Sequence, residues 1–180
     1  MIACGLAVAA AKHNEVLLWA RSSDSADRAR ARVGRICSKL DGFDLDRVRI
    51  VTDLDELGGA TFLVEAVIEQ RRSKAALLSC LGELARHAGA DTVLATTTSS
   101  LSIAELASAS GHSENFVGFH LFNPVPKMKL VELAFPREAT RVTRQRAREL
   151  CKALGKTRSR SQTSRASWST ASCSDTCSAP

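Results

Sequence analysis

Short apolar runs of strand length alternate with longer amphipathic segments through most of this chain, and this alternation restricts the fold more than any other feature. The runs predict β-strands at residues 16–20, 48–51, 61–64, 92–95, 116–119 and 130–133. Apolar spacing and capping residues predict helices at 2–12, 22–40, 73–88 and 140–154, with a further helix after Ser102. Strands that alternate with helices across short links favour the α/β class, with a mostly parallel, doubly wound sheet.

Polar residues cluster where four of the predicted strands end. The clusters cover residues 21–22, 65–69, 96–100 and 120–123. In a parallel sheet the carboxyl ends of the strands share one edge, and ligands bind in the crevice outside that edge. The sequence therefore predicts a ligand site built from these four segments.

The charge and the aromatic content argue against a nucleic-acid partner. The net charge is +6, but Arg and Lys alternate with Ala and Ser, as in residues 28–35, which is typical of a solvated helix face. Aromatic residues make up only 4% of the chain and Tyr is missing, so a surface that stacks bases is not expected.

Metal and membrane sites are not predicted either. Cys173 and Cys177 have no second pair of ligands beside them in the sequence. No apolar run approaches the roughly 18 residues of a membrane span, and the apolar opening lacks the basic residues of a secretory signal. We therefore expect no membrane partner and a place in the reducing cytoplasm.

The start of the chain departs from the pattern of a complete nucleotide-binding domain. Such a domain opens with a strand and a G-x-G-x-x-G turn, whose glycines let the backbone approach a pyrophosphate. This chain opens at Met1 already inside the helix that follows such a turn. We expect an incomplete Rossmann-type sheet that lacks its first strand, with Gly5 as a candidate cofactor-binding residue.

The composition changes abruptly after Thr157. Residues 158–180 contain no Leu, Ile, Val or Phe and are rich in Ser, so we expect a disordered tail after a folded domain of residues 1–157. An arginine-serine interaction tail is one interpretation. A frameshift is another, because suitable GC-rich codons for a peptide containing Pro-Gly-Phe-x-x-Asn-Arg, read one base late, give residues 158–173. The downstream reading frame of the gene would decide between them.

His120 and Glu132 are a candidate acid/base pair. A histidine at the end of one strand and a carboxylate on the next form a common acid/base arrangement, since the carboxylate fixes the ring tautomer and stabilises the imidazolium. The rigid Asn-Pro-Val-Pro segment that begins at Asn123 follows closely. A strand-terminating turn capped by the histidine fits the spacing equally well.

Three segments resemble the 3-hydroxyacyl-CoA dehydrogenase family. Residues 120–132, His-Leu-Phe-Asn-Pro-Val-Pro-Lys-Met-Lys-Leu-Val-Glu, are similar to its H-F-F-N-P-V-P-x-M-x-L-V-E signature. Residues 98–103 resemble its N-T-S-S-L-x-I stretch, and residues 64–69 with Lys74 resemble V-I-E-A-V-x-E…K. The likeness covers residues 1–157 and is nearest to the short 3-hydroxybutyryl-CoA dehydrogenases.

The resemblance implies hydride transfer between a 3-hydroxyacyl-CoA and NAD or NADP. His120 would take the proton of the 3-hydroxyl, Glu132 would hold its ring, and Ser99 would hydrogen-bond the substrate oxygen during catalysis. Asn123 would shape the same substrate pocket. The residues that it implies on the cofactor side are Gly5, Arg21, Glu69, Lys74 and Thr97. For Glu69 and Lys74, a helix-start carboxylate and an exposed lysine are the alternatives.

The chain also departs from the family at several points. Thr97 stands where the family usually has Asn, and Ala20 occupies the place of the acidic residue that holds the adenosine ribose. Arg21 follows and is suited to a 2′-phosphate, so the sequence does not decide between NAD and NADP as the cofactor. We expect the helical domain that completes the acyl-CoA cleft and forms the family's homodimer to be absent. An inactive, truncated remnant or a non-catalytic interaction domain of the same fold is the alternative function.

Overall fold

A computed structural model describes residues 2–40, 45–88 and 91–159. The helices are α1 Ile2–Ala11, α2 Ser23–Cys37, α3 Arg71–Ala88, α4 Ile103–Ser110 and α5 Arg141–Ala153. The strands are β1 Val16–Trp19, β2 Val48–Val51, β3 Phe62–Glu65, β4 Val93–Thr96, β5 Phe116–Leu121, β6 Leu130–Ala134 and β7 Thr157–Ser159. The predicted alternation of strands and helices is confirmed.

The strands of the described residues form two sheets. β1 and β2 pair in parallel, and a second sheet has the order β3-β4-β5-β6-β7. β3, β4 and β5 run parallel, β6 is antiparallel to β5, and β7 is parallel to β6. A nucleotide-binding sheet has the order 3-2-1-4-5-6, in which the first strand lies between the second and fourth. Within the described residues β1 and β3 do not pair, and the prediction of a mostly parallel α/β sheet is confirmed.

Helices cover both faces of the five-stranded sheet, because side chains alternate along its strands. On β4, Val93 packs in one apolar cluster with Leu6 of α1 and Cys151 of α5. Its neighbour Leu94 packs in the opposite cluster with Leu78 of α3 and with residues of α4. Every residue of β4 is buried. This two-sided burial explains why the central strands read as continuous apolar runs.

Three helices begin at hydroxyl caps. The side chains of Ser22, Ser102 and Thr140 each accept a hydrogen bond from the backbone amide three residues later, at 3.3, 3.3 and 3.1 Å. Each bond satisfies one of the amides that a helix start leaves unpaired. The predicted caps of α2 and α4 are confirmed, and α4 ends at Gly111, whose φ of 60° is left-handed.

The strand β7 was not predicted from the sequence. It pairs with β6 in the register Leu130↔Thr157 and Val131↔Arg158, so main-chain hydrogen bonds form it despite its polar side chains. The described sheet therefore extends beyond the predicted domain boundary at Thr157. The remainder of the predicted tail, residues 160–180, and its frameshift interpretation lie outside the described residues.

No helix within the described ranges combines the length and the apolar character needed to cross a bilayer.

Candidate functional site

The carboxyl ends of β3, β4 and β5 bring several of the predicted site residues to one edge of the five-stranded sheet. The register Thr96↔Gly118 places the loop that starts at Thr97 beside the end of β5, where His120 lies. Segments that the sequence separates by more than twenty residues therefore share this edge, as the strand pattern predicted.

His120 and Glu132 form a direct pair across two strands. They are opposite residues in the antiparallel register of β5 and β6, so their side chains lie on the same face. Nδ1 of His120 is 2.8 Å from Oε2 of Glu132, and the side chains are 17% and 26% exposed. The ring of Phe122 packs edge-on against the imidazole, with centroids 4.6 Å apart. A carboxylate that accepts the Nδ1–H leaves Nε2 as the basic nitrogen of the neutral ring.

Glu69 organises the loop after β4. Its Oε1 accepts hydrogen bonds from the Thr98 hydroxyl at 2.5 Å, the Ser99 amide at 2.9 Å and the Ser100 amide at 3.1 Å. Burial raises the pKa of Glu69, but the hydrogen bonds from Thr98 and Ser99, the charge of Lys74 and the Ser100 amide outweigh it and lower the pKa to about 2. Glu69 is therefore a carboxylate at any physiological pH, fixed to the loop that carries Ser99.

Lys74 lies beneath this loop in a buried ion pair with Glu65. Its side chain is 1% exposed and that of Glu65 is fully buried. The ammonium is 3.0 Å from Oε1 of Glu65 and 3.4 Å from Oε2 of Glu69. The alternative of an exposed lysine is thus wrong. Glu65 was not among the predicted site residues. Its position, as a carboxylate at the end of an apolar strand, was the sequence feature that could have indicated it.

The predicted substrate-side residues are open to solvent. Ser99 is exposed, and its backbone and hydroxyl both contact Glu69. Asn123 is also exposed, in the turn that follows β5. Thr97 is half-buried, and its amide donates to the carbonyl of Glu65 at 3.0 Å, which ties the loop to the end of β3.

The turn at residues 124–128 is held from two sides. Gly5 of α1 is buried against it, and a Cβ at that position would lie 3.1 Å from Cβ of Val125. The buried Lys156 donates to the carbonyl of Val125 and, at 2.7 Å, to that of Met128. Burial lowers the pKa of this lysine. A side chain at position 5 would therefore crowd Val125. The role of Gly5 in cofactor binding stays a prediction, and Lys156 was not predicted at all.

A cation follows the end of β1. Ala20 is buried there, and its amide donates to the carbonyl of Val51 at 2.9 Å. Arg21 is exposed, while the hydroxyl of Ser22 caps α2. Ala20 thus stands where an acidic residue would hold ribose hydroxyls, and the exposed guanidinium of Arg21 follows it.

Comparisons with known proteins give a consistent picture. Residues 1–162 match the model of the NAD-binding domain of 3-hydroxyacyl-CoA dehydrogenase. The chain is 37% identical over 113 residues to a probable 3-hydroxybutyryl-CoA dehydrogenase of Deinococcus radiodurans, covering 63% of this chain and 40% of the relative. It is 35% identical over 140 residues to the 3-hydroxyadipyl-CoA dehydrogenase of Escherichia coli, covering 72% and 29%.

Solved structures resemble the chain over a larger share of its length. The (S)-3-hydroxybutyryl-CoA dehydrogenase of Ralstonia eutropha superimposes with a TM-score of 0.81 at 28% identity, covering 87% of this chain and 58% of the other. The 3-hydroxybutyryl-CoA dehydrogenase of Escherichia coli gives 0.75 at 33% identity, covering 86% and 34%. The chain spans about 40% of the length of the first curated relatives that it matches.

Proposed function

Because this chain belongs to the 3-hydroxyacyl-CoA dehydrogenase family, we propose that it interconverts 3-hydroxyacyl-CoA and 3-oxoacyl-CoA with a nicotinamide cofactor. The observation that carries the proposal is the contact of 2.8 Å between Nδ1 of His120 and Glu132 at the carboxyl edge of the sheet. That contact gives the ring a defined tautomer and a nearby negative charge, which an acid/base catalyst requires.

His120 would take the proton of the substrate's 3-hydroxyl on Nε2. Glu132 would keep the ring oriented and stabilise the positive charge that the ring then carries. The bound cofactor would supply the hydride acceptor for carbon 3, and the reverse direction would return both the hydride and the proton. Both side chains are only partly exposed, so their charges would interact more strongly than in open water.

Ser99 and Asn123 would contact the substrate. A hydroxyl that donates to the substrate's 3-oxygen helps to bear the charge that develops there during the reaction. The position of Ser99 depends on Glu69, which holds its backbone amide at 2.9 Å. A fixed donor costs no reorganisation when the charge develops, so this anchoring favours the catalytic role that we assign to Ser99.

The chain's residues fit a dinucleotide along the same edge. A pyrophosphate would lie at the N-terminus of α1, whose first turn contains Gly5, and this glycine packs against the turn at 124–128. Glu69 and Thr97 would lie on the nicotinamide side. Arg21 would lie on the adenosine side, where an exposed guanidinium favours a 2′-phosphate. We therefore propose that NADP(H) binds at least as well as NAD(H). Fluorescence titration of the chain with NADH and NADPH tests this, and a strong preference for NADH would refute it.

The acyl-CoA substrate and a place in the cytoplasm are part of the same proposal. A second candidate is a non-catalytic interaction domain of this fold. It is favoured by the separation of β1–β2 from β3–β7 in the described residues, because the cofactor would have to bridge two sheets that share no strand pairing.

Reduction of 3-oxobutyryl-CoA, followed by the loss of NADH or NADPH absorbance, tests the proposed activity. We expect His120→Asn to lower kcat by about a hundredfold or more, and Glu132→Gln by a smaller factor. His87→Asn is the matched control, because this exposed histidine lies on α3, where its Nδ1 is 2.8 Å from the carbonyl of Glu83 in the same helix. Cofactor binding without turnover in the unmodified chain would favour the second candidate.

A further inference from the structure

Lys156 is a buried cation whose acceptors are neutral carbonyls. It is 8% exposed, and its ammonium donates to the carbonyl of Val125 and, at 2.7 Å, to that of Met128. In the part of the chain that the structure describes, it forms no ion pair with a carboxylate. Burial without a counter-charge disfavours the ammonium, and the pKa of this lysine is lowered accordingly. An apolar side chain would avoid this cost, so the lysine invites a role other than filling the core.

The end of α5 fixes where Lys156 lies. The amide of Gly155 donates to the carbonyl of Lys152 at 2.9 Å, and the φ of Gly155 is 63°. The amide of Lys156 itself donates to the carbonyl of Cys151 at 2.8 Å. A left-handed glycine with this pair of hydrogen bonds ends a helix and redirects the chain. Thr157 then begins β7 beside β6, so the lysine is held between a helix end and a strand start.

The turn that Lys156 holds lies between the two halves of the candidate site. It follows directly after Asn123, and the amides of residues 127 and 128 both donate to the carbonyl of Pro124 at 3.0 Å. The first turn of α1 packs against the same turn. The position of the turn therefore sets the spacing between Asn123, on the proposed substrate side, and the start of α1, on the proposed cofactor side.

An ammonium is suited to hold this turn. It carries three protons, so it can donate to two carbonyls that lie three residues apart at the same time. Val125 is 1% exposed, so its carbonyl would be left without water if the ammonium were removed. The two hydrogen bonds therefore favour one arrangement of the turn.

We propose that Lys156 is a positioning residue, which binds the carbonyls of Val125 and Met128 and so fixes the turn at 124–128 between α1 and Asn123. The significance of this for catalysis rests on the function proposed above. Removal of the ammonium would let the turn open while the sheet and the helices stay folded. Such a local opening differs from a general loss of stability, because it exposes the amides of the turn and not those of the core.

Amide hydrogen exchange of Lys127 and Met128 in the full chain tests this without an activity assay. Lys156→Met keeps an unbranched apolar stem and removes the donors. We expect the two amides to exchange about tenfold faster than in the unmodified chain, through an opening that low concentrations of urea do not promote. A lysine that only stabilised the whole fold would act through global unfolding, which urea promotes, and the amides of β4 would then exchange faster by the same factor.

The matched control is Lys152→Met. Lys152 is exposed in the last turn of α5, so the same substitution removes the same charge four residues earlier. We expect the turn to exchange in this variant as it does in the unmodified chain. Unchanged exchange of the turn in Lys156→Met, or equally faster exchange in Lys152→Met, would overturn the proposal.

Reduction of 3-oxobutyryl-CoA gives a second readout, in which kcat and KM should separate. Lys156→Met should lower kcat by about tenfold, because a small displacement of a group that contacts the substrate slows the reaction. The KM for the cofactor should stay nearly unchanged, because α1 keeps its own packing against α2 and β1. A loosened turn with an unchanged kcat would contradict the positioning role. An absence of turnover in the unmodified chain would instead count against the proposed dehydrogenase activity, and the exchange measurement would still decide the role of Lys156.

The unmodified chain covers the case in which Lys156→Met does not fold. A buried ammonium that is bonded to two carbonyls should exchange its protons with water at least about tenfold more slowly than the exposed ammonium of Lys152. Nitrogen-15 spectra of the lysine side chains measure both rates in one sample. Equal rates at the two ammonium groups would show that Lys156 does not hold the turn.

Discussion

Replacing Glu69 by glutamine isolates the contribution of one carboxylate charge to the stability of this chain. The substitution keeps the side chain's shape and one carbonyl acceptor. It removes the charge that receives hydrogen bonds from the Thr98 hydroxyl and from the amides of Ser99 and Ser100. Any change in the free energy of unfolding therefore reports mainly the ionised state of Glu69.

The size of the effect follows from the pKa of Glu69, which the fold lowers from 4.5 to about 2. Such a displacement corresponds to at most about 3 kcal/mol, and screening at this partly exposed site reduces it to about 1 kcal/mol. Because the pKa is lower in the folded chain, the stabilisation is fully present above pH 4.5 and is lost as the pH falls towards 2. At about pH 3.5, roughly 60% of it should remain.

Urea unfolding followed by circular dichroism measures this directly. We expect Glu69→Gln to be about 1 kcal/mol less stable than the unmodified chain at neutral pH, and the difference should shrink in acid. Glu105→Gln is the control, since this carboxylate is exposed and should contribute less than about 0.5 kcal/mol at any pH. A difference that is independent of pH would refute the reasoning, because the cost would then come from shape and not from charge.

Three further substitutions probe the fold and the site. Gly82→Ala should destabilise the chain by about 2–3 kcal/mol, because the new Cβ would lie 1.9 Å from a backbone oxygen of α4. Gly34→Ala in α2 is the control, since its Cβ would meet nothing within 4 Å and should stabilise the chain slightly. Thermal unfolding of both variants would show whether the close packing of α3 and α4 causes the loss. Lys156→Met should lower the free energy of unfolding in urea by about 1–2 kcal/mol, because two carbonyls of the turn at 124–128 lose their donor. An equal loss in Lys152→Met, at an exposed lysine, would contradict this. Ala20→Asp should weaken NADPH binding by about tenfold in a fluorescence titration, because a carboxylate at the end of β1 repels a 2′-phosphate. An unchanged affinity would mean that the adenosine end of the cofactor binds elsewhere.

The elements of the fold were largely readable from local patterns. A strand buried on both faces is mostly apolar, so β4 and β5 stand out in the sequence. Hydroxyl residues before amphipathic segments located the starts of α2 and α4. β7 was missed because a short strand held by main-chain pairing with β6 needs no particular side chains, and the composition of its neighbours resembles a tail.

The candidate site was only partly readable. The strand-end pattern brought Ser99 and His120 to one edge, and the spacing of His120 and Glu132 left a catalytic pair and a capping histidine equally plausible. The antiparallel register of β5 and β6 put the two side chains opposite each other, at hydrogen-bond distance. Local sequence cannot specify this contact, since it depends on which strands pair and in which direction.

The sequence by itself determined the class of fold, the edge at which a ligand site is predicted and the residue types available there, because periodicity and strand ends are local properties of the chain. Only the tertiary structure decided how the charges are shared among those residues. Lys74 had the same sequence signal as an exposed lysine, yet it is buried between Glu65 and Glu69. Burial and ion pairing depend on the packing of α3 against β3 and β4, so the distinction between an exposed lysine and a buried, paired one exists only in three dimensions.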